Sequence, residues 1–121
     1  MDLALIAPDT SPRGANVACE SDNWDFGLGA VFYLDATQAR WAKNWRVESY
    51  TIQELMPLVT GTLPIHAAKV GIFGHSMGGH GALTLALRHP GIFKIRLSLR
   101  IHLRAYKMYV GPQGVHRVSG C

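Results

Sequence analysis

Apolar positions along this chain change period repeatedly, and each period predicts an element. Residues 3–7, Leu-Ala-Leu-Ile-Ala, are short and continuously apolar, the pattern of a central strand buried on both faces. Residues 8–14, Pro-Asp-Thr-Ser-Pro-Arg-Gly, are dense in turn formers and predict a loop. Residues 19–34 mix Asp, Asn, Gly and aromatics without a period. They predict an irregular surface excursion anchored by Trp24, Phe26, Phe32 and Tyr33, with a short helical turn following within 37–45. Ile52, Leu55, Met56 and Val59 then fall at i, i+3, i+4 and i+7. That spacing predicts an amphipathic helix over 46–59, which Pro57 should end or kink. Residues 60–64 predict a loop, and 69–73, Lys-Val-Gly-Ile-Phe, a strand. Residues 79–88 predict a helix that is apolar nearly all round, hence buried, and stopped by His89-Pro90-Gly91. The strand–helix–strand–helix order argues an α/β fold with a parallel sheet.

Residues 95–105 break this texture. Apolar and polar positions alternate there without exception, as in a half-exposed strand. A parallel sheet would call for an apolar strand at that place. Charge divides at the same point. Residues 1–94 hold 7 Lys+Arg and 8 Asp+Glu, giving −1, whereas 95–121 hold five basic residues and no acid, giving +5. The pI of 9.4 is therefore a property of the tail, not of the domain.

At 121 residues the chain suits one small domain. No apolar run approaches the roughly 20 residues a membrane span needs. The start, Met-Asp-Leu-Ala, lacks the basic region of a secretory signal. Two cysteines, Cys19 and Cys121, are too few for a disulfide framework, so a reducing compartment is the expectation.

Gly74-His75-Ser76-Met77-Gly78 carries the chemistry. It reads G-x-S-x-G between a strand and a helix, the order of a nucleophile elbow. Small residues two before and two after the serine let the turn close. Ser76 is the candidate nucleophile and the Met77 N–H the candidate oxyanion donor. His75 and His80 flank the serine, but an elbow aims its neighbours away from the nucleophile, so both are expected to pack or to bond. His102 and His116 lie in the basic tail and are expected at the surface. Asp9, Asp22, Asp25 and Asp35 precede the serine and are expected to cap turns and bond loop backbone. No metal-ligand spacing and no cofactor motif is present.

From residue 3 to 94 the chain resembles the S-formylglutathione hydrolase (esterase D) family. The resemblance rests on Ala7-Pro-Asp-Thr-Ser-Pro-Arg-Gly14, Trp24-Asp-Phe-Gly27, Phe32-Tyr-Leu-Asp-Ala-Thr37 and Phe73-Gly-His-Ser-Met-Gly-Gly-His-Gly-Ala-Leu83. It implies an α/β-hydrolase core, here incomplete, and a serine esterase without cofactor. The implied reaction is hydrolysis of the small thioester S-formylglutathione to glutathione and formate, in cytoplasmic formaldehyde catabolism, with no nucleic-acid or membrane partner. Homodimerisation stays open.

The resemblance also implies what to miss. The family has a segment before Leu3 with early strands and a second oxyanion donor, and its catalytic Asp and His follow the serine. From Met77 to Cys121 this chain has no acid at all. The isolated chain is therefore expected to be weakly active or inactive. The family usually has glycine where Cys19 and Val31 stand, and Val31 is expected to strain its turn. The chain divides as 1–94, hydrolase-like, and 95–121, a basic tail with the texture of out-of-frame translation. A different class of function, a non-catalytic fragment or anion-binding module acting through that tail, is the alternative.

Overall fold

The structure, a computed structural model, describes residues 3–21, 27–29 and 31–99. The expectations for Trp24, Phe26, Asp22, Asp25, His102, His116 and the tail beyond Leu99 lie outside the described residues.

The helices are α1 (Ala39–Ala42), α2 (Val47–Ser49), α3 (Met56–Thr62) and α4 (Met77–Arg88), with a π-helical segment, Tyr50–Leu55, between α2 and α3. The strands β1 (Gly71–His75) and β2 (Ile95–Leu99) pair in parallel, Gly71 opposite Ile95 and His75 opposite Leu99. The crossover between them is α4. A parallel pair joined through a helix is the α/β arrangement the sequence order predicts.

Among the described residues, two apolar clusters form the interior. The first comprises Val31, Trp41, Trp45 and Val47. The second comprises Leu85, Ala86 and Phe93, with Ile52, Met56, Val70 and Ile72 packed against it. The predicted stripe on the 46–59 helix thus does its expected work, with Ile52 and Met56 facing α4.

Several expectations are corrected. Residues 3–7 form no strand: Leu3 is 88% exposed and Leu5 66%, and no described strand runs beside them. A continuous apolar run specifies burial but not the neighbour that would provide it. The helix does not end at Pro57. It passes through the π segment, where Met56 N–H donates to the Thr51 carbonyl five residues back, and continues to Thr62. Proline lacks the N–H and crowds the carbonyl four residues earlier, so a widened turn ahead of it absorbs the misfit. The predicted loop therefore starts only after Thr62. α4 is not buried all round, since Leu83 and Leu87 are exposed while Ala82, Leu85 and Ala86 are buried.

Val31 is a buried member of the first cluster, and Cys19 holds a φ of 69°.

Candidate active site

Ser76 sits at the junction of β1 and α4. β1 ends at His75 and α4 begins at Met77. Ser76 turns the chain with φ 53° and ψ −117°, a conformation that L-residues rarely adopt. The Ser76 carbonyl accepts the first helical bond, from His80 N–H at 3.0 Å. Met77 is the first residue of α4, where backbone N–H groups have no intrahelical acceptor and the helix favours negative charge.

Glycine at 74 is a steric necessity. A Cβ there would stand 2.2 Å from the Gly78 carbonyl oxygen. Gly78 is different: a Cβ on it meets nothing within 4 Å among the described residues. Only one side of the expected small-residue rule is therefore enforced by contact. Gly81 is also crowded, its Cβ direction lying 2.3 Å from Tyr33 Cδ2. That approach locks the excursion before α1 onto the elbow helix.

The flanking histidines do not converge on the serine hydroxyl. His75 is exposed at the end of β1. His80 is buried, and its ring meets Phe32 edge-on at 5.6 Å. Burial holds the His80 pKa below the ordinary imidazole value, partly offset by a backbone hydrogen bond with Phe32. Among the described residues the Ser76 hydroxyl makes no hydrogen bond to a histidine or carboxylate.

One pairing has no signature in the sequence. Glu48 Oε1 lies 2.8 Å from His89 Nε2 and 3.0 Å from Arg88 Nε. It borders a groove lined also by Leu34, Asp35, Ser49 and Ile52. This carboxylate–histidine pair resembles the orienting half of a triad, but it sits at the wrong end of α4. A 12-residue helix is about 18 Å long, and Ser76 lies at its other terminus. The pair fastens α2 to the end of α4. Forty-one residues separate the partners, and no local spacing signals it.

The carboxylates before the serine behave as loop and cap residues. Asp35 Oδ1 accepts from Ser49 N–H at 2.9 Å, and its other oxygen accepts from the Ser49 hydroxyl, which caps α2 from a distant segment. Asp9 accepts from Thr10 N–H at 2.6 Å and from Arg13 at 2.8 and 2.9 Å. The hydrogen-bonded Arg13 guanidinium holds the Asp9 carboxyl well below the usual carboxylate range. Burial, with a smaller contribution from Asp9, pushes the Tyr33 phenol up. Among the described residues there is no His/Cys/Asp/Glu cluster fit for a metal. Nor is any helix there long and apolar enough to cross a membrane.

A strand, a strained serine and a glycine-sealed turn into a helix define the elbow class, and the Esterase family model matches residues 1–100. The chain belongs to the Esterase family. Its relatives are more particular. It is 54% identical over 92 residues to S-formylglutathione hydrolase of Bos taurus, covering 76% of this chain and 33% of the relative. With S-formylglutathione hydrolase of Arabidopsis thaliana it shares 54% identity over 93 residues, 76% of this chain and 32% of the relative. A solved structure of an S-formylglutathione hydrolase from Agrobacterium tumefaciens superposes with a TM-score of 0.67 at 49% identity, over 72% of this chain and 31% of that one. The chain thus spans about a third of the length of these relatives.

Proposed function

We propose that the chain carries the nucleophile-bearing portion of an α/β-hydrolase core, and that this portion serves hydrolysis of S-formylglutathione and small acyl esters. The observation that carries the reading is the backbone of Ser76, strained to φ 53° at a strand–helix junction closed by Gly74. The named activity of the relatives supports the substrate class. The hydrolase portion runs over 1–94. The tail 95–121 adds β2 with its first five residues. The proposed setting is cytoplasmic.

The chemistry follows from the elbow. Ser76 Oγ attacks the thioester carbonyl carbon, and negative charge moves to the carbonyl oxygen, where the Met77 N–H donates. The carbon–sulfur bond then breaks, the thiolate leaves and takes up a proton, and the acyl group rests on Ser76 until water releases it as the acid. Attack requires a base for the Ser76 proton. His89 is about 18 Å away along α4, so it does not serve.

Because His75, His80 and His89 do not reach the Ser76 hydroxyl, the expected turnover of the 121-residue chain is slow. In a well-studied hydrolase, loss of triad members removes about a millionfold in kcat. The test is p-nitrophenyl acetate hydrolysis by the purified chain beside Ser76→Ala. A low turnover that disappears in the variant is the expected result. Identical rates in the two proteins would overturn the assignment of Ser76 as nucleophile.

A further inference from the structure

The first turn of α4 has to hold Ser76 at φ 53° and ψ −117°. Such a backbone persists only where its surroundings over-determine it. On the strand side, Gly74 abuts the Gly78 carbonyl, where a Cβ would stand 2.2 Å from the oxygen. On the other side the hold passes through His80. Its N–H donates to the Ser76 carbonyl at 3.0 Å, at the start of the helix. Its ring is buried, meets Phe32 edge-on with centroids 5.6 Å apart, and hydrogen-bonds the Phe32 backbone. Gly81, the next residue, lies flush on the Tyr33 ring. Two adjacent residues of one segment, Phe32 and Tyr33, therefore grip two adjacent residues of α4. His80 bonds the gripping segment through its ring and the serine through its N–H.

We infer that His80 is a positioning residue for Ser76: its ring, held by Phe32, fixes the first turn of α4 so that the Ser76 hydroxyl and the Met77 N–H keep a set relation. The inference rests on the proposed nucleophilic role of Ser76. In the sequence His80 looks like a base, four residues after the serine, but its ring is engaged with Phe32 and not with the hydroxyl. Its effect is mechanical. An attacking oxygen and an oxyanion donor act together only within a narrow geometry, and a misplacement of about 1 Å can cost about a hundredfold in rate. Without the hold at His80, the strained turn relaxes and the two groups shift against each other. No group that binds the ester is removed. The signature is a loss of kcat at unchanged KM.

The test measures Ser76-dependent p-nitrophenyl acetate hydrolysis by the 121-residue chain, together with amide hydrogen exchange at residues 80 and 89. His80→Leu fills the space but lacks the polar bond. It should lower kcat by about tenfold or more, with KM held within about twofold. It should also speed exchange of the residue-80 amide by about tenfold or more. The His89 amide, bonded to the Leu85 carbonyl at 2.9 Å at the far end of α4, should stay within about twofold. His80→Gln can hydrogen-bond but cannot take a proton at neutral pH, and it should recover most of both losses. Gly81→Ala is an independent variant, because its methyl would stand 2.3 Å from Tyr33 Cδ2 and wedge the segment off α4. It should lower kcat and speed the same amide with His80 in place. Equal acceleration at residues 80 and 89 would show a general loss of stability and overturn the positioning role. Unchanged kcat in both His80→Leu and Gly81→Ala would overturn it as well. So would a His80→Gln protein with a protected residue-80 amide and no recovered turnover, which would make His80 the base. Wild-type turnover no faster than that of Ser76→Ala would fail the functional reading alone, and exchange at residues 80 and 89 would still decide whether His80 holds the turn.

Discussion

A side chain at position 74 has nowhere to go, whereas one at position 78 has open space. With only 2.2 Å between an added methyl and the Gly78 carbonyl oxygen, Gly74→Ala must push the elbow apart. The expected cost is about 1–3 kcal/mol, as for overpacked sites, read from urea midpoints. Gly78→Ala should instead gain roughly 0.5–1 kcal/mol, since alanine is the better helix former in α4 and meets no described atom. A stable Gly74→Ala protein with wild-type midpoint would show that the turn is looser than its geometry says. His80 gives a pH test. Burial lowers its pKa in the folded chain, so between that value and about 6.5 the unfolded state binds more protons. Stability is therefore fully present above about pH 6.5 and falls as pH drops through it. His80→Gln should flatten that slope in thermal melts between pH 5 and 7.5, and an unchanged slope would assign it to another group. The strand–Ser76–helix turn and the tight Gly74 are legible in the sequence because the motif states backbone requirements directly, whereas the open space at Gly78 is not. The Glu48–His89 contact is not, because it depends on where two distant helix ends meet.

The 46–62 helix shows how an element can be right in kind and wrong in extent. The apolar spacing locates the face that packs on α4, and Pro57 signals a disturbance. The remedy, a π turn with the Met56-to-Thr51 bond, depends on tertiary packing that holds the helix together beyond the proline. A proline in a regular helix interior costs about 3 kcal/mol. Here the wide turn has already removed the conflict, so Pro57→Ala should change stability by less than about 1 kcal/mol in urea unfolding. A gain near the full proline penalty would mean that the π segment does not relieve it. The sequence predicts β1 at 69–73, and it lies at Gly71–His75, because apolarity ends at Phe73 while backbone pairing continues to the edge of the elbow. Residues 3–7 depart from expectation for a different reason. Their pattern encodes a buried environment, and burial requires a partner that no local pattern can name.

At the scale of the molecule, Tyr33 joins the two cores among the described residues. Tyr33 packs against the Trp41–Trp45 cluster and against the Leu85–Phe93 cluster, and its ring also presses on Gly81. It does so with a φ of 55°, a conformation costing roughly 1–2 kcal/mol for a residue with a Cβ. The sequence marks Tyr33 as an aromatic anchor but does not say that it anchors both sides. Coupling between the cores should therefore run largely through this side chain. Tyr33→Ala removes the ring and leaves a cavity, with an expected loss of about 3–5 kcal/mol. It should also split the unfolding transition. Trp41 and Trp45 report the first core by fluorescence, and far-UV circular dichroism reports α4 in the second. The two probes should coincide in the wild-type chain and in Tyr33→Phe, which keeps the ring, and separate in Tyr33→Ala. Coincident transitions in Tyr33→Ala would mean that the strand pair and its helix are bound to the first core by contacts other than the Tyr33 ring.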